Sequence, residues 1–262
     1  MTVKLHGEVH GAQAGGGRSP LVILHGLFGS STNWRGVAKQ LSGGRVVHVL
    51  DLRNHGVSPH TDDMNYAAMA GDVHRYMIAS ELASAVIIGH SMGGKTAMHL
   101  ALHEPDVVSR LIVVDIAPVP RDRVFGPLLD ALQSLPLHET TRRADLDSQL
   151  SEHVPEAPLR AFLLQNLVRE ATGFKWRLNL EAIRRNLPAL LDFETDLDTA
   201  CYEGTTMFVL GENSDYVLPE HHAATFRLFP QAHLASIANA GHWVHAEQPR
   251  RFIEQVQQFL AA

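Results

Sequence analysis

The strongest constraint on this chain is a rhythm of short, unbroken apolar runs separated by helix-period segments between residues 20 and 115. Leu21-Val22-Ile23-Leu24 is closed by His25-Gly26, Val46-Val47-His48-Val49-Leu50 ends at Asp51, Ala85-Val86-Ile87-Ile88 ends at Gly89, and Leu111-Ile112-Val113-Val114 ends at Asp115. A half-exposed strand alternates apolar with polar residues. An unbroken apolar run suits a strand buried on both faces of a parallel sheet. Between these runs, Trp34, Val37, Ala38 and Leu41 recur at helical spacing, and residues 65–78 and 93–103 read as further helices, the last stopping before Pro105. Such alternation is the signature of an α/β fold, a mostly parallel twisted sheet with helices on both faces. It resumes with a strand at Thr206–Gly211, a helix at 220–228, a strand at His233–Ile237 and a terminal helix from Arg250 to Leu260.

The rhythm stops between Pro118 and about Gly204, where helix-like segments are expected near 125–135, 142–152, 157–171 and 178–189, with no convincing strand. The implied organisation is a core built from residues 1–117 and 205–262 with a helical cap inserted at 118–204. A length of 262 residues suits one such domain with an insertion. At the start, Val3-Lys4-Leu5-His6 and Glu8-Val9-His10 read as a strand, and Gly11 to Pro20 as a turn. The net charge of 22 − 28 = −6 leaves no basic footprint for nucleic acid. A single cysteine, Cys201, excludes an intramolecular disulfide and a cysteine metal cage, and the 17 histidines are scattered rather than clustered as metal ligands. The opening residues lack a signal-peptide run, and no stretch approaches the roughly 18–20 apolar residues that span a bilayer. A cytoplasmic protein without a membrane span is expected; the sequence is silent on oligomeric state.

The chemistry centres on Gly89-His90-Ser91-Met92-Gly93, set between an apolar strand and a helix. Glycines flank the serine because the backbone must turn sharply there, and the turn lifts the serine oxygen above the C-terminal edge of the sheet. The following helix aims its first N–H groups at developing negative charge. A serine hydroxyl needs a base within reach. His242, in Asn239-Ala240-Gly241-His242-Trp243, lies between the last strand and the last helix, at the same sheet edge. His25, His55, His90 and His245 compete for the role. The first two sit in glycine turns better explained by loop shape, and His90 adjoins the serine and points elsewhere. The order serine then late histidine favours His242.

Leu24-His25-Gly26-Leu27-Phe28-Gly29, Asp51-Leu52-Arg53-Asn54-His55-Gly56, the serine pentapeptide and Gly241-His242 together resemble the α/β-hydrolase superfamily in order and spacing, over nearly the whole chain. The first of these motifs, Asn54, and Trp176-Arg177-Leu178-Asn179-Leu180 are similar to the YbfF-type small intracellular esterases. The resemblance implies a cofactor-free serine hydrolase of short to medium acyl esters, extending to acyl-CoA thioesters. Ser91 would be its nucleophile and His242 its base, with an oxyanion hole made by the backbone amides of Met92 and of Leu27, Phe28 being the second choice. Many superfamily members carry the triad acid three residues after the glycine that ends the penultimate strand. That position here is Ser214, a departure, with Asp215 next to it. The YbfF-type enzymes also have serine there and take the acid from the preceding strand, which corresponds to Asp115. Asp115 is therefore the expected acid, with Asp215 as the alternative and Ser214 as a helper near His242.

Asp51 and Arg53 read as a structural pair at a strand end rather than as catalytic groups. Phe125, Leu128, Leu129, Phe162, Leu163, Trp176 and Leu180 are candidates for an acyl pocket or for cap core, and Arg123, Lys175 and Arg177 for contacts with an anionic substrate or for a solvated face. The same fold also carries non-hydrolytic receptors of small ligands, and fold alone does not separate the two. Ser91 argues against a carboxylate nucleophile, as in dehalogenases and epoxide hydrolases.

Overall fold

The computed structural model describes residues 2–12, 18–121, 125–138, 142–193 and 201–262. Its strands are β1 (His6–His10), β2 (Leu21–Leu24), β3 (Val47–Asp51), β4 (Ala85–His90), β5 (Val108–Val114), β6 (Leu167–Arg169), β7 (Phe174–Trp176), β8 (Thr206–Gly211) and β9 (Ala232–Ile237). Its helices are α1 (Arg35–Leu41), α2 (Tyr66–Ala79), α3 (Met92–His103), α4 (Gly126–Ser134), α5 (Arg143–Leu150), α6 (Ala157–Leu164), α7 (Leu180–Arg185), α8 (Leu187–Leu191), α9 (His222–Leu228), α10 (Val244–Glu247) and α11 (Pro249–Ala261). Seven strands form one sheet in the order β1-β3-β2-β4-β5-β8-β9. All neighbours run parallel except β1, which pairs antiparallel with β3 at the edge.

Alternate residues of each central strand enter different cores, because strand side chains point to opposite faces in turn. Leu21, Ile23, Val49, Ile88, Ile112, Val114 and Val209 pack with α1 and α11. Val22, Leu24, Leu50, Ile87, Leu111, Val113 and Phe208 pack with α2, α3 and the inserted region. Burial on both sides is the reason these strands read as unbroken apolar runs. The α/β-hydrolase architecture expected from the sequence is what the chain forms. Because the main sheet joins β1–β5 to β8–β9 directly, we propose 118–204 as the extent of the cap. Among the described residues, no helix is long and apolar enough to cross a membrane.

Two expectations need correction. The inserted region contains an antiparallel hairpin, β6 with β7, where a helix over 157–171 was expected to continue. Gly173 makes its turn at φ 82°, where a Cβ would come within 2.0 Å of the Leu137 carbonyl oxygen. Asp51 and Arg53 do not pair. The Asp51 carboxylate accepts from the amides of Ser31 (2.6 Å) and Val57 (2.9 Å). Arg53, fully buried, instead reaches Asp72 on α2 with both Nε (2.7 Å) and Nη2 (2.9 Å).

That two-pronged pair pins the loop after β3 to α2, and both partners are shielded from water. Removing Asp72 leaves the buried guanidinium only the Asp63 carboxylate at 3.5 Å, and breaking a buried pair typically costs about 3–5 kcal/mol. Asp72→Ala is therefore expected to lower the unfolding free energy in urea by about that much, and the double variant Arg53→Met/Asp72→Leu to recover a large part of it. A loss below about 1 kcal/mol for Asp72→Ala would contradict this account.

Candidate active site

Ser91 occupies the turn between β4 and α3 with φ 52° and ψ −116°. A residue with a side chain holds such a backbone only at a cost of about 1–3 kcal/mol, and surrounding contacts must impose it. The contacts are backbone to backbone. A Cβ on Gly89 would lie 2.2 Å from the Gly93 oxygen, and one on Gly93 would lie 2.5 Å from the Leu24 oxygen. The two motif glycines are thus required by close approach of three chain segments. The Ser91 amide donates to the Val114 carbonyl at 3.0 Å, fastening the turn to the end of β5. Ser91 and His242 line one cavity of about 360 Å³.

His242 Nδ1 donates to Asp115 Oδ2 at 2.8 Å. A carboxylate acceptor on Nδ1 leaves the lone pair of the neutral ring on Nε2, the tautomer a general base requires. Asp115, also in a left-handed backbone at φ 52°, is fully buried at the end of β5. Its Oδ1 accepts from the Gly211 amide at 3.0 Å, and Oδ2 also takes a short hydrogen bond from the Ser214 hydroxyl. Burial pushes the Asp115 carboxyl up to about 6, although the bonds from Ser214 and Gly211 pull the other way. Ser214 thus braces the carboxylate from the loop after β8. The alternative acid, Asp215, faces out, its side chain 68% exposed and 3.8 Å from Arg121. Of the two acids, Asp115 meets His242.

The oxyanion candidates converge as well. Ser91 and Leu27 line the cavity together, and among the described residues no group accepts from the Leu27 or Met92 amide. The Phe28 amide is taken, donating to His55 Nε2 at 3.2 Å. Three competing histidines serve as fasteners. His55 Nδ1 donates to the Arg53 carbonyl (2.9 Å), His25 Nε2 accepts from the Leu52 amide (3.0 Å), and His90 Nε2 donates to the His242 carbonyl (2.9 Å). Burial pushes all three below the usual histidine range, His55 to about 3, so they bond as neutral rings. His245 stacks on Trp34 at 4.0 Å.

Two features were not read from the sequence. The Tyr216 ring stacks on His242 with centroids 3.4 Å apart, and the Arg121 guanidinium lies 3.9 Å from the centre of Tyr216. The second is the burial of Lys95 beside Ser91. Of the cap candidates, Phe125, Leu128 and Phe162 line the cavity. Leu129, Leu163 and Leu180 are cap core, and Trp176 donates to the Leu132 carbonyl within the cap. Lys175 pairs with Glu170 at 2.8 Å, away from the cavity, and Arg177 does not line it. Arg123 lies outside the described residues.

A model of the alpha/beta hydrolase fold matches residues 19–249. The chain is 46% identical over 250 residues to the sn-1-specific diacylglycerol lipase ABHD11 of Mus musculus, covering 92% of this chain and 80% of that protein. It is 33% identical over 263 residues to the esterase YbfF of Escherichia coli, covering 98% and 99%. Among solved structures, a marine microorganism esterase superposes with a TM-score of 0.94 at 38% identity, over 98% of this chain and 100% of that one.

A carboxyl raised to about 6 from 3.8 binds its proton more tightly in the folded chain than in the unfolded one. Its ionisation therefore opposes folding, with a penalty that begins above the unfolded value and is complete above the folded one. Asp115→Asn removes that penalty while an amide oxygen can still accept from Gly211. The melting temperature of Asp115→Asn is expected to equal or exceed that of the parent at pH 7.5, with the advantage shrinking toward pH 4. A variant several degrees less stable at pH 7.5 would refute this.

Proposed function

This chain belongs to the alpha/beta hydrolase family, and on that premise we propose that it hydrolyses carboxylic esters through an acyl-enzyme on Ser91. His242 takes the serine proton and returns it to the leaving alcohol. Asp115 holds the imidazole in the productive tautomer and stabilises the imidazolium. The amides of Leu27 and Met92 receive the oxyanion, each such donor contributing about 2.7–4 kcal/mol in the transition state. Water then attacks the acyl-enzyme with His242 as base, so no cofactor enters the cycle. The observation that carries the reading is the 2.8 Å bond between His242 Nδ1 and the buried Asp115, beside a strained serine in the same cavity. The names of the mouse, bacterial and marine relatives, a lipase and two esterases, support ester cleavage. Acyl-CoA thioesters use the same chemistry and form the second substrate class to assay.

A fluorophosphonate probe distinguishes this enzyme from a ligand-binding receptor on the same fold. Labelling of the parent and hydrolysis of a short p-nitrophenyl ester are both expected to vanish in Ser91→Ala. Labelling that persists at another serine would overturn the assignment.

The acid and the pH profile form a second test. Asp115→Asn forces the wrong tautomer on His242, a change that costs about 10⁴ in turnover in a serine protease. Asp215→Asn removes only an exposed charge and is expected to stay within a few-fold of the parent. Turnover should climb as pH rises through about 6, because a proton taken up by the His242–Asp115 pair removes the base. Equal losses in the two variants, or a profile flat from pH 5 to 8, would contradict the proposed triad.

A further inference from the structure

A second, smaller chamber of about 50 Å³ opens from Ser91. His242 lines the larger cavity and not this one. His242 must protonate the leaving oxygen, so the alcohol belongs in the larger cavity and the acyl chain in the smaller. The small chamber is walled by Phe125, Ile116, Leu190 and Tyr216, with two cations, Lys95 and Arg121, and among the described residues no Asp or Glu lines it.

Lys95 is the anomaly. It is 2% exposed, stands in the first turn of α3 four residues after Ser91, and lines the small chamber together with that serine. Its Nζ donates to the carbonyl oxygens of Leu191 (3.2 Å) and Asp192 (3.0 Å), and among the described residues its third proton has no acceptor. The rings of Tyr66 and Phe193 lie 5.7 and 5.8 Å away. No carboxylate oxygen of a described residue lies within 4.0 Å. Arg53, the other fully buried cation, is matched by Asp72, which makes the contrast plain. Burial pushes the Lys95 ammonium down to about 7, with Asp192 holding it up and Arg121 lowering it further. Two carbonyls satisfy hydrogen bonds but supply no charge, and a buried cation without a counter-ion is costly.

We propose that this chamber is the acyl subsite and that Lys95 binds a carboxylate at the far end of a short acyl chain, making monoesters of short dicarboxylic acids the preferred substrates. The proposal rests on the ester-hydrolase reading and refines it. The substrate brings a counter-ion that no described residue supplies in direct contact with Lys95. Ser91 forms an ester with the acyl carbon as the bond to the alcohol breaks, the alcohol leaves with the proton from His242, and water releases the dicarboxylate.

Two esters of matched shape test this. Monoethyl succinate carries the carboxylate, and ethyl 4-oxopentanoate replaces it with a methyl ketone; released ethanol is measured for both. The parent is expected to show a kcat/KM at least tenfold higher for the succinate, as a charge-assisted hydrogen bond implies. That ratio should fall to near one in Lys95→Met and be partly kept in Lys95→Arg, with circular dichroism confirming folding. A parent ratio of one or less overturns the proposal. So does a ratio that Lys95→Met leaves unchanged while both rates drop, which would make Lys95 a tie to α8 only. If Lys95→Met does not fold, the parent and Lys95→Arg ratios decide. If the parent cleaves neither ester and takes no fluorophosphonate label, the hydrolase reading fails instead. The chamber is then tested by calorimetry on Ser91→Ala, where binding of monoethyl succinate tenfold tighter than the ketone sustains the subsite and equal binding ends it.

Discussion

A negative charge must be kept where water does not reach, and most of the site's construction follows from that. Asp115 is fully buried, and isolation in such a place favours the neutral acid. Three donors oppose this: the Gly211 amide, the Ser214 hydroxyl and the His242 ring. They arrive from β8, from the loop after it and from the loop after β9, so the carboxylate also ties three C-terminal strand ends together. Left-handed backbone at Ser91 and Asp115, on adjacent strands, lets each side chain leave the sheet edge toward the other's partner. The strain is local and small against the apolar cores on both faces of the sheet.

The buried histidines illustrate a division of labour. A neutral imidazole is a donor at one nitrogen and an acceptor at the other, so it can bridge two loops without carrying charge. His55 spans the Phe28 amide and the Arg53 carbonyl, and His25 reaches across to Leu52. His90 braces the backbone of the very residue proposed as base. By occupying the Phe28 amide, His55 also decides which amide of that loop stays available for an oxyanion.

The sheet was legible because parallel strands buried twice over cannot hide their composition: Thr206–Gly211 is a strand at the residues its apolar run indicates. The hairpin of the cap was not. Leu167–Arg169 and Phe174–Trp176 are three residues each, too short for any period to register, and only Gly173 hinted at a turn. The serine turn was legible because Gly89 and Gly93 bracket a position that demands close backbone approach, and His242 drew notice by its place after the last strand. The acid was not legible from spacing, because a triad acid is defined by what it touches; Asp115 and Asp215 differ by a strand end and a loop, which only the resemblance separated. Arg53 was given the wrong partner because its match, Asp72, lies on the next helix. Lys95 escaped notice for a similar reason, since burial is not written in a lysine's neighbours.

The position of the inserted region has a consequence for how such a protein diversifies. The chain departs for the cap just after Asp115 and returns just before β8, which carries Gly211 and leads to Ser214. Both junctions therefore lie beside the hydrogen bonds that hold the Asp115 carboxylate. Residues between them touch the site at a few points, among them Arg121 on the Tyr216 ring and Asn166, which donates to the Phe28 carbonyl. Changes elsewhere in the insertion can therefore reshape what the cavity admits while the socket around Asp115 stays as it is.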